Sequence, residues 1–106
     1  MNRLMIVARL QEGAHEEAEE LIANGPPFDP EDLGFHRHAA YLTANEIVFL
    51  FEAPEVEWIV NDLVDDPRLS AAFDPWRKLV EGTPRLAHER FYWSRDEDRL
   101  GVGLGV

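Results

Sequence analysis

Gly34-Phe35-His36-Arg37-His38-Ala39-Ala40-Tyr41-Leu42-Thr43, then Ala44-Asn45, then Glu46-Ile47-Val48-Phe49-Leu50-Phe51-Glu52, reads as a β-hairpin. Two extended segments, Gly34 to Thr43 and Glu46 to Glu52, flank a tight turn at Ala44 and Asn45, where Asn tolerates the positive φ that such turns favour. Ile47 to Phe51 is apolar at every position, as expected of a central strand covered on both sides. Its partner alternates: Phe35, Arg37, Ala39 and Tyr41 on one face, His36, His38, Ala40 and Leu42 on the other. Two histidines therefore share a strand face, and the hairpin is both core and candidate site.

Upstream, Arg3 to Leu10 places Leu4, Ile6, Ala8 and Leu10 opposite Met5, Val7 and Arg9, a first strand. After Gly13, the spacing of Ala14, Ala18, Leu21 and Ile22 predicts a helix whose glutamates, Glu16, Glu17, Glu19 and Glu20, form a solvated face; His15 beside them has no evident partner. Asn24-Gly25-Pro26-Pro27 ends that helix, because proline lacks an amide proton and disfavours helix in the residue before it. Phe28 to Leu33 is then a loop in which Phe28 caps the core or the mouth of a pocket.

Downstream, Pro54 suits a first helical turn, and Val56, Ile59, Val60, Leu63 and Val64 mark the apolar stripe of a second helix. Trp58 lies off that stripe, as a partner surface or ligand edge would. Asp66-Pro67 and Asp74-Pro75 predict two short helices within Pro67 to Val80, held inward by Leu69, Ala72, Phe73, Trp76, Leu79 and Val80. Glu81-Gly82-Thr83-Pro84 is expected to stop the helix. Arg85 to Trp93 reads as the last strand, with Leu86, His88, Arg90 and Tyr92 opposite Ala87, Glu89, Phe91 and Trp93. Residues 1–93 thus form one domain, and 94–106 a tail whose Leu100, Val102, Leu104 and Val106 suit a frayed end or a strand laid on a neighbour.

Strand, helix, strand, strand, helix, strand is the ferredoxin-like βαββαβ order: an α+β domain with an antiparallel sheet and its helices on one face. The uncovered face would carry large apolar groups that a monomer rarely leaves in water, so a homodimer through the open sheet face is expected. Ten basic and 21 acidic residues give a net charge of −11. That balance opposes nucleic acid and an anionic membrane as partners, and with them an RNA-binding role for this fold. The chain has no cysteine, which excludes disulfides, thiolate metal sites and thiol nucleophiles. No stretch reads as a signal peptide or membrane span, so a cytoplasmic location is expected.

The element order, together with Leu33-Gly34-Phe35-His36-Arg37-His38, a hairpin ending in Phe51-Glu52-Ala53, and the final Glu89-Arg90-Phe91-Tyr92-Trp93, resembles the dimeric α+β barrel superfamily. Within it, small aromatic polyketide cyclases of the tetracenomycin type are the nearest, over about residues 3–93. The superfamily also includes cofactor-free quinol monooxygenases and haem-degrading enzymes. The resemblance implies a homodimer and a small aromatic or polyketide-like ligand, handled without a cofactor by acid and base chemistry. The chain departs from the cyclase pattern in having His38 where arginine is usual and Phe49 where histidine is usual, and in placing Asn24 and Gly25 near expected polar positions.

His36 and His38, joined by His88 if the last strand lines the same cavity, are candidates to abstract a proton from a phenol or activated methylene. Arg37 or Arg90 would stabilise the resulting oxyanion. Tyr41, Phe49, Phe51, Trp76, Tyr92 and Trp93 are candidates to line an aromatic pocket, although aromatics at strand spacing are more often core. Arg9, Glu52 and Glu89 suit structural ion pairs on the alternate face. The plainer reading of the histidines is as half-buried strand residues, and a zinc site is the weakest, lacking cysteine or an HExxH helix. Cyclase-type catalysis, cofactor-free monooxygenation and non-catalytic ligand binding are therefore the functions in view. An enzyme needs a histidine and an arginine in one pocket; a greasy cavity without a paired basic group favours a binder.

Overall fold

The computed structural model describes residues 2–95, the side chain of Leu69 excepted. Strand β1 (Asn2–Leu10) leads to helix α1 (His15–Ala23) and the hairpin β2 (Arg37–Leu42) and β3 (Glu46–Ala53). Then come α2 (Val56–Asp65), the short α3 (Pro67–Ser70), a 3₁₀ turn at Ala71–Phe73, the short α4 (Asp74–Arg77) and β4 (Val80–His88). The strands form one sheet in the order β2-β3-β1-β4, antiparallel throughout. This is the ferredoxin-like α+β arrangement expected from the element order.

Period-2 alternation sorts the sheet into two faces. Leu4, Ala8 and Leu10 of β1 and Ile47, Phe49 and Phe51 of β3 are buried beneath the helices, with Val56, Val60 and Leu63 of α2, Trp76 of α4, and Leu79 completing the core. Val64, placed by spacing on the α2 stripe, is 55 % exposed. At 100° per residue it lies about 80° round from Val56, beyond the arc that Val60, Leu63 and Ile59 share. Trp58, off the stripe as expected, is 73 % exposed.

The opposite face carries Met5 and Val7 of β1, Val48 and Leu50 of β3, and Ala39 and Tyr41 of β2, a mainly aliphatic belt. One end of the belt is crossed by charges. Glu52, itself buried, takes Arg3 Nε at 2.7 Å and Arg37 Nε at 3.1 Å, one from each neighbouring strand. Arg3 continues to Glu89 at 3.1 Å. Glu52 and Glu89 thus form ion pairs on the alternate face, but with Arg3 and Arg37 as the cations in place of the expected Arg9.

Several boundaries differ from the sequence reading. The hairpin turn uses no positive φ, since no described non-glycine residue has one. Instead the Thr43 amide donates to the Glu46 carbonyl at 2.9 Å and the Asn45 amide donates to Thr43 Oγ1 at 3.3 Å, so a hydroxyl shapes the turn. β2 starts at Arg37 because Gly34, at φ +93°, turns the chain and the Phe35 amide still bonds back to Pro30. β4 begins at Val80 and ends at His88. Gly82 to Pro84 does not break structure but forms a bulge, three residues opposite Ala8 alone, with Gly82 at φ +77°. Proline is tolerated there because β4 is an edge strand. His15 has a partner after all, Glu19 Oε1 at 3.3 Å from Nδ1. Of the tail, only Ser94 and Arg95 fall among the described residues.

Candidate functional site

Helix α1 ends at Ala23, and the Gly25-Pro26-Pro27 segment carries the chain across the edge of the sheet. Phe28 then turns inward. Its ring meets Phe35, Phe51, Phe73 and His38, the last at 5.2 Å between centroids. Between this segment and the sheet lies a cavity of about 200 Å³. Leu21 and Ile22 of α1 form one wall, His38 and Ala40 of β2 with Phe49 of β3 the floor, and Phe73 and Trp76 the far side. The space exists because Ala40, opposite Phe49 in the sheet, is small.

His38 is the polar side chain of this chamber. Its ring stacks on Phe51 at 4.7 Å, and its Nδ1 lies 3.0 Å from the Leu50 carbonyl oxygen. A carbonyl only accepts, so Nδ1 donates and the neutral ring keeps Nε2 as an acceptor. Burial pushes the His38 pKa below the ordinary imidazole value, outweighing the Leu50 carbonyl, which favours the cation. A neutral imidazole of defined tautomer therefore lines an aromatic-walled cavity.

Outside it, an open trough of about 540 Å³ is lined by Pro26, Asp29, Pro30, Glu31, Phe35, His36, Arg37 and His38. Pro26 and His38 border both spaces. His36 is exposed, and its backbone amide donates to the Glu52 carbonyl at 2.8 Å.

The other candidates are dispersed. His38, Phe51, Leu4 and His88 form one cross-strand row, which puts His88 three strand spacings, about 14 Å, from His38. There His88 Nδ1 sits 2.9 Å from Glu57 Oε2 of α2. Arg90 lies exposed past the end of β4. Arg37 points to Glu52 on the open face, where Tyr41 also lies, 52 % exposed. Tyr92, a candidate to line an aromatic pocket, instead lies across the Arg3 guanidinium, 3.4 Å from ring centroid to Cζ. The strand ends at His88, so the alternation that placed Tyr92 no longer holds. Phe49 and Trp76 do meet in the chamber, edge to face at 5.2 Å, while Phe51 is sealed beneath His38. Trp93 is exposed.

The sequence pattern marks Leu21, Ile22 and Phe73 only as inward-facing apolar positions. The signal that they border a void is Ala40, a small residue on the helix side of an edge strand. Among the described residues no group of three or more His, Asp or Glu side chains is placed to hold a metal ion. No helix among them is long and apolar enough to cross a membrane.

Comparison of this architecture with solved structures finds tetracenomycin F2 cyclase of Streptomyces glaucescens, a type-II polyketide cyclase, at a TM-score of 0.66 and 14% identity over 87% of this chain and 96% of that one. The chain shares its ferredoxin-like α+β fold. An antibiotic biosynthesis monooxygenase matches at 0.65 and 7% identity, over 87% and 99% of the two chains. SnoaB of Streptomyces nogalater, a cofactor-independent oxygenase, matches at 0.55 and 16% identity, over 90% and 98%. No protein-family model and no curated protein matches the sequence. The resemblance to cyclases and monooxygenases read from the sequence is thus borne out as a likeness of fold.

Proposed function

We propose that the chamber binds a one- or two-ring aromatic alcohol, its ring against Phe49 and Trp76 and its hydroxyl donating to Nε2 of His38. The observation that carries this is the neutral His38 ring, held by the Leu50 carbonyl at 3.0 Å, on the wall of a cavity whose other lining side chains are aliphatic or aromatic. Volume sets the ligand's size. Pockets for drug-sized ligands run from about 300 to 1,000 Å³, whereas a cavity of about 150 Å³ holds benzene. At about 200 Å³ the chamber suits one or two fused rings rather than a four-ring polyketide.

Proton abstraction by His38 is a second reading, favoured by the lowered pKa that leaves the ring unprotonated. An anion formed there would lack a cation, since no arginine lines the chamber among the described residues. Binding is therefore the reading carried forward, with turnover of a cyclase or cofactor-free monooxygenase type as its extension. The open sheet face supports a homodimer. Met5, Val7, Val48 and Leu50 form its apolar centre; because these side chains are already partly covered, a second copy would gain from each only part of the roughly 1.5–3 kcal/mol that full burial of an exposed side chain is worth.

Titration with 2-naphthol, followed by Trp fluorescence and by calorimetry, tests the binding. A ligand of this size is expected to bind with a Kd on the order of 100 µM. Losing the hydroxyl's acceptor in His38→Ala should weaken it about tenfold, and Trp76→Phe should remove the fluorescence response. Absence of saturable binding at about 1 mM, or equal affinity in His38→Ala, overturns the proposal.

A further inference from the structure

The open face of the sheet is striped. Taken across the strands in the order β2-β3-β1-β4, one end row reads Arg37, Glu52, Arg3 and, one residue past β4, Glu89: cation and anion in alternation. The other end row reads Thr43, Glu46, Arg9 and Glu81, the same alternation after a neutral hydroxyl. Between them run Ala39-Leu50-Met5-Ala87 and Tyr41-Val48-Val7-Arg85, apolar except where Tyr41 and Arg85 end the second row. Burial of the middle rows favours bringing two such faces together, yet it does not say how the copies are turned, because either apolar row packs on either. The charged rows decide that.

Two identical sheets packed face to face are related by a two-fold axis lying between them, and aligned packing leaves two choices: the axis close to the strand direction, or close to perpendicular to it. An axis along the strands lays each row on its own reversed copy. Arg37 then meets the second copy's Glu89, Glu52 meets its Arg3, Glu46 meets its Arg9, and Tyr41 meets its Arg85, a guanidinium suited to stack on the ring. An axis across the strands lays one end row on the other. Glu52 then meets Glu46, Arg3 meets Arg9 and Glu89 meets Glu81, like on like at all three places where charges meet. We infer that the second copy docks with the two-fold axis along the strands, β2 of one copy against β4 of the other, and that the charged rows select this orientation. The inference rests on the open-face homodimer and adds how its copies are turned. It also gives a partner to Arg37, whose side chain is 78 % exposed, and to Tyr41, 52 % exposed. Because Arg37 lines the trough beside His38, the second copy's Glu89 comes to the rim of that trough.

The test is sedimentation equilibrium of the wild type, of Glu46→Arg and of the exchange Arg9→Glu/Glu46→Arg, at about 50 and 500 mM NaCl. Arg9 and Glu46 are neighbours on β1 and β3, and neither lines the chamber or the trough. In the inferred orientation the single change sets cation against cation at two symmetry-related places, and the dimer should weaken about tenfold at low salt. The exchange restores opposite charges there and should bring Kd back to within about threefold of the wild type. High salt should weaken the wild-type dimer. The crosswise orientation predicts the reverse: both variants dimerise more tightly than the wild type, and salt strengthens the wild-type dimer. That pattern, or equal affinity of all three proteins at both salt concentrations, overturns the inference while leaving a dimer through the open face. A wild type that stays monomeric removes the dimer and the orientation together. Glu46 also accepts from Arg85 within its own chain at 3.4 Å, so folding of each variant is checked by circular dichroism. If a variant fails to fold, the sign of the wild type's salt dependence decides.

Discussion

Acidification should weaken the fold through His38, and the size of this residue's contribution is bounded by a single proton. Burial holds the folded His38 below the ordinary imidazole pKa. In the unfolded chain the ring titrates near 6.5. As the pH falls through that value the unfolded state takes up the proton first, so it binds more protons than the native state and stability drops. The contribution of neutral His38 is therefore complete above about pH 6.5 and lost progressively down to the folded pKa. One unit below the unfolded value, at about pH 5.5, the loss reaches at most about 1.4 kcal/mol. Urea unfolding of the wild type and of His38→Asn at about pH 7.5 and 5.5 isolates the term. The asparagine amide supplies the donor that Nδ1 offers the Leu50 carbonyl, but it does not titrate. The wild type should lose more stability than the variant between the two pH values. Equal losses, or a smaller loss in the wild type, would refute a neutral, half-buried His38.

Removing the charge of Glu52 leaves Arg3 and Arg37 facing a neutral amide. Because Arg37 is largely exposed and Arg3 keeps Glu89, Glu52→Gln should cost about 2 kcal/mol, less than the 3–5 typical of a broken buried pair, and lower Tm by roughly 10 °C; a thermal melt within about 2 °C of wild type would contradict it. Leu50→Arg places a charge in the centre of the aliphatic belt and should convert a dimer to a monomer in sedimentation velocity; a wild type that is monomeric throughout would sink the dimer. Gly34→Ala should cost about 1 kcal/mol of backbone strain at φ +93° without a clash, since its Cβ would lie 3.5 Å from Ile59 Cδ1. Urea midpoints check this, and a loss several times larger would mean the entry to β2 is more tightly packed than the geometry shows.

Much of the fold is legible in the sequence because alternation is strong where the sheet is buried. Leu4 to Leu10 and Ile47 to Phe51 state their faces plainly, and the element order then dictates the sheet. β4 is harder to read for a physical reason. An edge strand tolerates Pro84 and a bulge at Gly82, both of which look like stop signals when taken one at a time. His38 is visible as a candidate from its place in the alternation. The separation of His88 also follows from the ferredoxin-like order, which puts β2 and β4 on opposite edges. What local pattern does not convey is the void itself. It depends on Ala40 facing Phe49 on the adjacent strand, and on a proline-rich crossing that lowers Phe28 onto His38. The pairing of Arg3 with Tyr92 is equally long-range, joining the two ends of the domain.

One imidazole carries the proposed binding site, and nitrogen-15 NMR of histidine-labelled protein reads its state directly. At about pH 7 the His38 ring should show a protonated Nδ1 and an unprotonated Nε2, and added 2-naphthol should move the Nε2 resonance selectively while His15 and His88 stay in place. A His38 ring that is cationic, that carries its proton on Nε2, or that is indifferent to the ligand would contradict the proposal.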